Sequence, residues 1–186
     1  MSIGLGLGLS AACGLRVFVP MLAMSLAART GHLSLASGFE WLGSTTAVIV
    51  LAIATVLEVG AYFIAWLDNL LDSVASPAAV VAGTVLTAAM VHDFSPVLQW
   101  SLAAIAGGGA AGVIQSSTVV LRGLSSVTTG GLANWLVSTL ELVSAVVLSV
   151  LALLLPWLAA LLVILLLAFC VRVLYRKFCR RKAVVG

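Results

Sequence analysis

Apolar positions along this chain run in long blocks separated by short polar punctuation. The blocks cover about 3–28, 45–67, 77–91, 97–121, 132–155 and 157–175. Runs such as Leu158–Val171 lack the alternation of period two that a barrel strand needs, so each block reads as a helix. Block one is interrupted by Gly14, Arg16 and Pro20. Its glycines at 4, 6 and 8 weaken helix propensity but permit close helix contact. Residues 29–41 form a loop with Gly31, Gly38 and Glu40. Block two is long enough for a full membrane span and carries Glu58 inside it. Asp68, Asn69 and Asp72 then read as a polar turn ending near Pro77, and block three is short. His92–Pro96 reads as a loop, with Pro96 suited to the first turn of the next helix. Block four contains Gly107–Gly109, Gly112 and Gln115, and polar residues 122–131 separate it from block five, which holds Glu141. Pro156 marks a tight reversal into an almost purely aliphatic last block.

Composition sharpens this pattern. The chain has 186 residues, 63% hydrophobic and 8% charged, with mean hydropathy +1.27. A soluble domain is roughly half apolar and about a quarter charged, so the expected class is an all-α integral membrane protein with the lipid bilayer as its solvent. The net charge of +3 is concentrated at the C-terminus. Arg172, Arg176, Lys177, Arg180, Arg181 and Lys182 directly follow an apolar run and read as a cytoplasmic anchor of a bacterial inner membrane protein rather than a nucleic-acid patch. Six crossings would then place both termini in the cytoplasm, with the turns near 68–76 and 122–134 on that side and Arg29 and His92 outside. The N-terminal stretch has no basic region before its apolar run, so it reads as part of the mature chain, not a signal peptide. Cys13, Cys170 and Cys179 have no metal-type spacing. The first two read as small core residues, and Cys179 as a reduced cytosolic thiol, with lipid attachment as its alternative.

The two halves of the chain echo each other. Residues 11–33 and 110–132, offset by 99, share six identities in 23 positions, including Ala-Ala, Thr-Gly and a final Leu. Thr55–Val59 parallels Ser138–Leu142, and Pro77 parallels Pro156. Three spans per half force the second copy to enter the membrane in the opposite sense, the plan of inverted-repeat transporters. The expected domain is therefore single, with repeat one about 1–93, repeat two about 94–175 and a basic tail at 176–186. Clustered glycines, Pro20 and the Arg16/Gln115 correspondence predict that segments one and four are broken or re-entrant, which is tolerated only beside a cavity or buried protein.

The candidate chemistry is intramembrane charge. Glu58 and Glu141 each fall near mid-membrane, where a charged side chain costs on the order of 2.5–3.5 kcal/mol. They read as proton or cation ligands at the repeat interface, or as hydrogen-bonded packing residues. Arg16 needs a carboxylate or carbonyl partner, and Glu58 is a plausible one. Asp68 and Asp72, four apart, form a cytoplasmic vestibule or a solvated helix end. Thr128, Thr129, Gly130, Gly131 and Asn134 lead into a helix and could present amides to an anion or simply cap that helix. Isolated His32 and His92 do not make a metal site. No Ser/His/Asp set, Cys/His pair, phosphate loop or dinucleotide fingerprint stands in suitable context, so no enzyme activity, cofactor or metal is expected.

Ala11-Ala12-Cys13-Gly14-Leu15-Arg16, Phe39-Glu40-Trp41-Leu42, Leu57-Glu58 with Asp68 and Asp72, and Thr128-Thr129-Gly130-Gly131-Leu132-Ala133-Asn134 with Glu141 together resemble a domain-of-unknown-function family (four-one-two-six) of small bacterial polytopic membrane proteins. The resemblance covers nearly the whole chain and implies a helical membrane fold. It departs from that pattern at Tyr62–Ala65, where Asp-Lys-Ile-Pro is expected, at Trp135 in place of Pro, and at Leu142 in place of an acid. The functional expectation is a small inverted-repeat transporter or channel, a homo-oligomer in which Glu58 and Glu141 bind a proton, small ion or solute. The alternative is a non-transporting membrane protein that handles lipid or assists assembly of a complex.

Overall fold

The computed structural model describes residues 2–61, 65–92, 94–129 and 134–185, with backbone alone described at 2, 65–73, 126, 128–129, 134 and 173–185. All regular structure among these residues is helical. Helix α1 is Ser2–Cys13, α2 Phe18–Arg29, α3 Thr45–Ala61 and α4 Ala65–Met90. Helix α5, Pro96–Leu102, passes through a π-helical turn, Ala103–Gly108, into α6, Gly109–Thr129, without leaving right-handed helical geometry. Helices α7, Asn134–Leu154, and α8, Pro156–Val185, complete the bundle. Two described stretches, Pro96–Ser125 and Trp135–Leu154, are long and apolar enough to cross a membrane.

The expected first segment is broken, and it doubles back. Gly4 of α1 lies against Pro156 at the start of α8, and Gly6 lies against Thr87 and Met90 at the end of α4. Leu26, Thr30 and Leu33, at and beyond the end of α2, share one cavity wall with Leu5, Met90 and Pro156. The free ends of α1 and α2 therefore lie together, at what is called here the loop end, and their inner ends meet inside the bundle. Helix α8 starts at this same end, where Pro156 meets Gly4, and leads away from it. Segment four, in contrast, continues straight through its glycines, which produce a π turn instead of a break.

One expected turn is helix. Residues 65–76 belong to α4, which runs through Pro77. Their apolar positions, Leu67, Leu70, Leu71 and Val74, and their polar positions, Asp68, Asp72 and Ser76, recur at helical spacing. The stretch is an amphipathic helix with one proline, which removes a single backbone hydrogen bond.

Local signals set the ends. Helix α2 stops at Gly31, φ 76, where Gly31 N–H donates to Ala28 O and His32 N–H to Ala27 O, the double closure that favours glycine at this position. Ser44 Oγ accepts the Ala47 N–H and caps α3. Gln99 Nε2 donates to Ala88 O and Val91 O at the end of α4. The connecting loop is pinned by Ala36 N–H to Ala89 O, by Ser25 Oγ–H to Leu42 O, and by Phe39 packed on Trp100 with ring centroids 5.9 Å apart.

A hydrophobic core that includes Leu9, Met24, Leu42, Leu86 and Met90 fills one part of the interior, while other helix faces bury small and polar residues and turn large apolar ones outward. On α7 the buried positions are Ser138, Glu141, Ala145, Ser149 and Ala152, whereas Trp135, Leu136, Leu140, Val143, Val147 and Leu154 are exposed. Small buried residues let helices approach closely, which is how helices associate when the surroundings are as apolar as the side chains. The tightest crossing is α4 on the π turn. A methyl group at Gly83 would stand 2.8 Å from Ala111 Cβ and 2.9 Å from Gly107 O, and one at Gly107 would overlap Thr87 and Gly83 O. Ser10 of α1 closes this junction, donating to Gly83 O at 2.6 Å and sharing a hydrogen bond with Thr87 Oγ1 at 2.7 Å. Gly107→Val should cost about 3 kcal/mol from overpacking alone and abolish the monodisperse peak in size-exclusion chromatography. Gly123→Val, where nothing lies within 4 Å, should elute as wild type.

Candidate functional site

The break in segment one creates the site. At the inner end of α1, Gly14, Leu15 and Arg16 turn their N–H groups back onto Ala11 O and Ala12 O, which satisfies the last carbonyls. Gly14 packs on Ala111 and Ile114 of α6. The first amides of α2 have no such local partner. Val17 has no capping side chain, and Pro20 has no N–H to satisfy. The cap comes from α3 instead. Glu58 Oε1 accepts the Val17 N–H at 2.7 Å and Oε2 accepts the Phe18 N–H at 3.1 Å. A carboxylate at a helix N-terminus meets both the unpaired donors and the positive end of the helix dipole.

Arg16, in the link itself, reaches the other half of the chain. Its terminal NH2 donates to Ser138 O at 2.7 Å and lies 3.7 Å from Glu141 Oε2. Glu141 is also held by Arg122 of α6, whose Nε donates to Oε1 at 3.2 Å and whose NH2 donates to Oε2. This fork engages both oxygens of one carboxylate, the strong mode of guanidinium pairing. Arg16 is 2% exposed, Arg122 5%, Glu58 7% and Glu141 6%. Each arginine thus has a carboxylate close by, which offsets the several kcal/mol that an uncompensated ion costs in the interior. Ser138 Oγ is buried and has no hydrogen-bond partner among the described residues.

The structure thus brings together Glu58, Glu141 and Arg16 of the expected residues. Arg16 reaches to α7 instead of forming the direct pair with Glu58 that the sequence suggested, because the Val17 and Phe18 amides occupy both Glu58 oxygens. Gln115 is buried on α6, and among the described residues no hydrogen bond joins its side chain to the cluster. Thr128 and Thr129 are the last helical residues of α6 and Asn134 the first of α7; their side chains, like those of Asp68 and Asp72 in α4, lie outside the described residues, as does Gly130 altogether. Arg122, the expected cationic counterpart of Arg16, was placed at the start of a polar turn but stands within α6. The missed signal is periodic: Ala111, Gln115 and Arg122 fall on one buried face of α6, so the helix had to continue past Leu121.

The histidines stand apart, at the loop end. His32 Nδ1 bonds Thr30 Oγ1 and His92 Nδ1 bonds Met90 O, at the rim of an apolar cavity of about 780 Å³. Cys13 is buried, with its thiol directed at Val17 O, and Cys170 is half-buried. Among the described residues no three His, Cys, Asp or Glu side chains form a group that could hold a metal.

Fold and site together define a class, a helical bundle whose first segment is broken at a buried cluster of charged side chains. The chain belongs to the family described as Domain of unknown function (DUF4126), which matches residues 3–176. No curated protein and no solved structure matches it.

Glu58→Gln keeps the shape but replaces one acceptor oxygen by a donor facing a backbone N–H. It should destabilise the protein by about 1–3 kcal/mol. Hydrogen exchange at Val17 and Phe18 should accelerate, with amides at the loop end of α2 unchanged; a uniform change along α2 would show that the cap is not local.

Proposed function

We propose that this protein is a small integral membrane transporter, built from two inverted halves, that moves a small solute past the Arg16–Glu58–Arg122–Glu141 cluster. The observation that carries the proposal is the cluster's position, at the facing ends of two half-helices. Helices α1 and α2 have 12 residues each, about 18 Å at 1.5 Å per residue, which spans about half of a 30 Å hydrocarbon core. Half-helix ends that meet at the midplane are where secondary transporters bind their substrates.

The apolar exterior fits lipid as solvent, and the charged cluster is the kind of intramembrane feature that is retained for use. The inverted halves are supported by the carboxylates. Glu58 lies 13 residues after the start of α3 (45 to 58) and Glu141 lies 13 residues before the end of α7 (141 to 154). Both start and end lie at the loop end, so the two helices run in opposite senses and bring equivalent carboxylates to one depth, about 20 Å in. With its basic tail in the cytoplasm, the chain has α1 and α2 entering and leaving on the outer side, followed by five crossings. An exposed groove of Ala104, Gly108, Gly112, Ser116 and Val80 is a suitable contact for a second copy in a homo-oligomer.

A second reading, lipid handling without transport, is favoured by the apolar cavity at the loop end. The two separate in liposomes. Transport predicts solute flux that falls at least about tenfold in Arg122→Gln that folds normally by size exclusion, a loss of about 1.4 kcal/mol or more in barrier terms. Absence of flux across cations, anions and neutral solutes would remove the transporter reading and favour the lipid one. Topology has its own check: single cysteines introduced at Ser2 and Lys182 should label from opposite sides of the membrane, and labelling from one side would overturn the re-entrant arrangement.

A further inference from the structure

We infer that the apolar cavity at the loop end binds a neutral amphiphile, with a hydrocarbon tail and a hydroxyl head that donates hydrogen bonds to His32 and His92. This gives the lipid-handling reading a ligand. It does not depend on flux past the charged cluster, none of whose residues lines the cavity. The cavity holds about 780 Å³, within the roughly 300–1,000 Å³ range of small-molecule sites. Its walls are largely hydrocarbon, with Leu5, Leu26, Val150 and Leu153 among them. Its polar side chains, Thr30, His32, Ser34 and His92, all stand beyond the last residues of α2 and α4. One end is therefore polar and the body apolar, the division of an amphiphile. Exposed tryptophans surround the same end. Trp41 lies in the turn whose Gly43 packs on Ala28 and Arg29, Trp100 packs on Phe39, and Trp157 follows Pro156. Such a belt marks the boundary between membrane and water, where the head and tail of an amphiphile part.

The histidines decide the head group, because each commits Nδ1 to the protein. Met90 O can only accept, so His92 Nδ1 carries the proton of their 3.0 Å bond. Thr30 Oγ1 gives its own proton to the carbonyls of Leu26 and Ala27, so it accepts from His32 Nδ1 at 2.9 Å. A neutral imidazole has a single N–H, which leaves both Nε2 atoms as acceptors. His92 Nε2 is buried and has no partner among the described residues, a costly state until a donor reaches it. An alcohol brings that donor. An ether, a ketone or a carboxylate sets lone pairs against lone pairs. Among the described residues no charged side chain lines the cavity, so a phosphate or ammonium head would enter an apolar site without a counter-charge.

Photo-crosslinking of the purified full chain in phosphatidylcholine nanodiscs tests the site. The probes are hexadecanol, its methyl ether and hexadecanoic acid, each carrying a diazirine in the middle of the tail. Hexadecanol should label peptides from residues 23–27 and 150–154 at a concentration about tenfold below that needed for the ether or the acid. Unlabelled hexadecanol and a monoacylglycerol, added as competitors, separate a free alcohol from a glycerol-borne one, and competition by either supports the inference. Ala27→Trp fills the cavity and should remove this labelling. Should that variant fail to fold, His32→Phe/His92→Phe should label equally with alcohol and ether. The wild-type comparison needs neither variant. Equal labelling of the wild-type cavity by all three probes overturns the hydroxyl head and leaves the lipid-handling reading standing. Preference for the acid, or label spread evenly over exposed positions such as Leu161 and Leu165, also overturns the inference. Cavity-specific alcohol labelling in a protein that shows no solute flux preserves the site and removes the transporter.

Discussion

Two backbone N–H groups at the start of α2 constrain the rest of this bundle. Val17 and Phe18 begin a helix inside the protein, where leaving a donor unpaired costs about 1–3 kcal/mol per group. No side chain in the link can satisfy them, so Glu58 does so from α3. That choice buries a carboxylate, and a buried carboxylate requires positive charge nearby. Arg16 in the link and Arg122 on α6 supply that charge, and Glu141 on α7 balances the excess. Each member follows from the one before it, beginning with the interrupted helix.

The same interruption dictates how the remainder packs. Because α1 ends inside the bundle, α4, α6, α7 and α8 must all approach it closely, and the residues it presents are Gly4, Gly6, Gly8, Ser10 and Gly14. Where α4 meets segment four, the glycines at 83 and 107 meet backbone to backbone, and the π turn aligns them. Large side chains have no room at these crossings, and many of them, such as Ile105, Val127 and Leu140, stand on the outer surface.

A buried cluster of this kind can act as a lock or as a gate. It is a lock while every carboxylate oxygen is engaged, as here. It becomes a gate if one member changes charge, because neutrality is then lost at a point where two half-helices end and no continuous backbone bonding holds the arrangement together. Among the described residues Glu141 is held by side chains, which can find other partners, whereas Glu58 is held by backbone amides of α2.

The sequence by itself determined the helical class and the family. Hydrophobic blocks, the absence of period-two alternation, and the cost of charge in apolar segments point to Glu58, Glu141 and Arg16 before any coordinates are considered. Only the tertiary structure decided that segment one doubles back while segment four continues, although both are rich in glycine. Glycine permits either outcome, and the choice is made by what receives the free backbone groups: Glu58 is available to the first break, and the π turn consumes the slack of the second. Helix α4 extending through Pro77 and α6 extending to Arg122 were masked by polar residues that resemble turns until their helical spacing is followed. The joining of Arg16 to Glu141 across 125 positions (16 to 141) is a long-range choice of partner, and no local pattern in the chain encodes it.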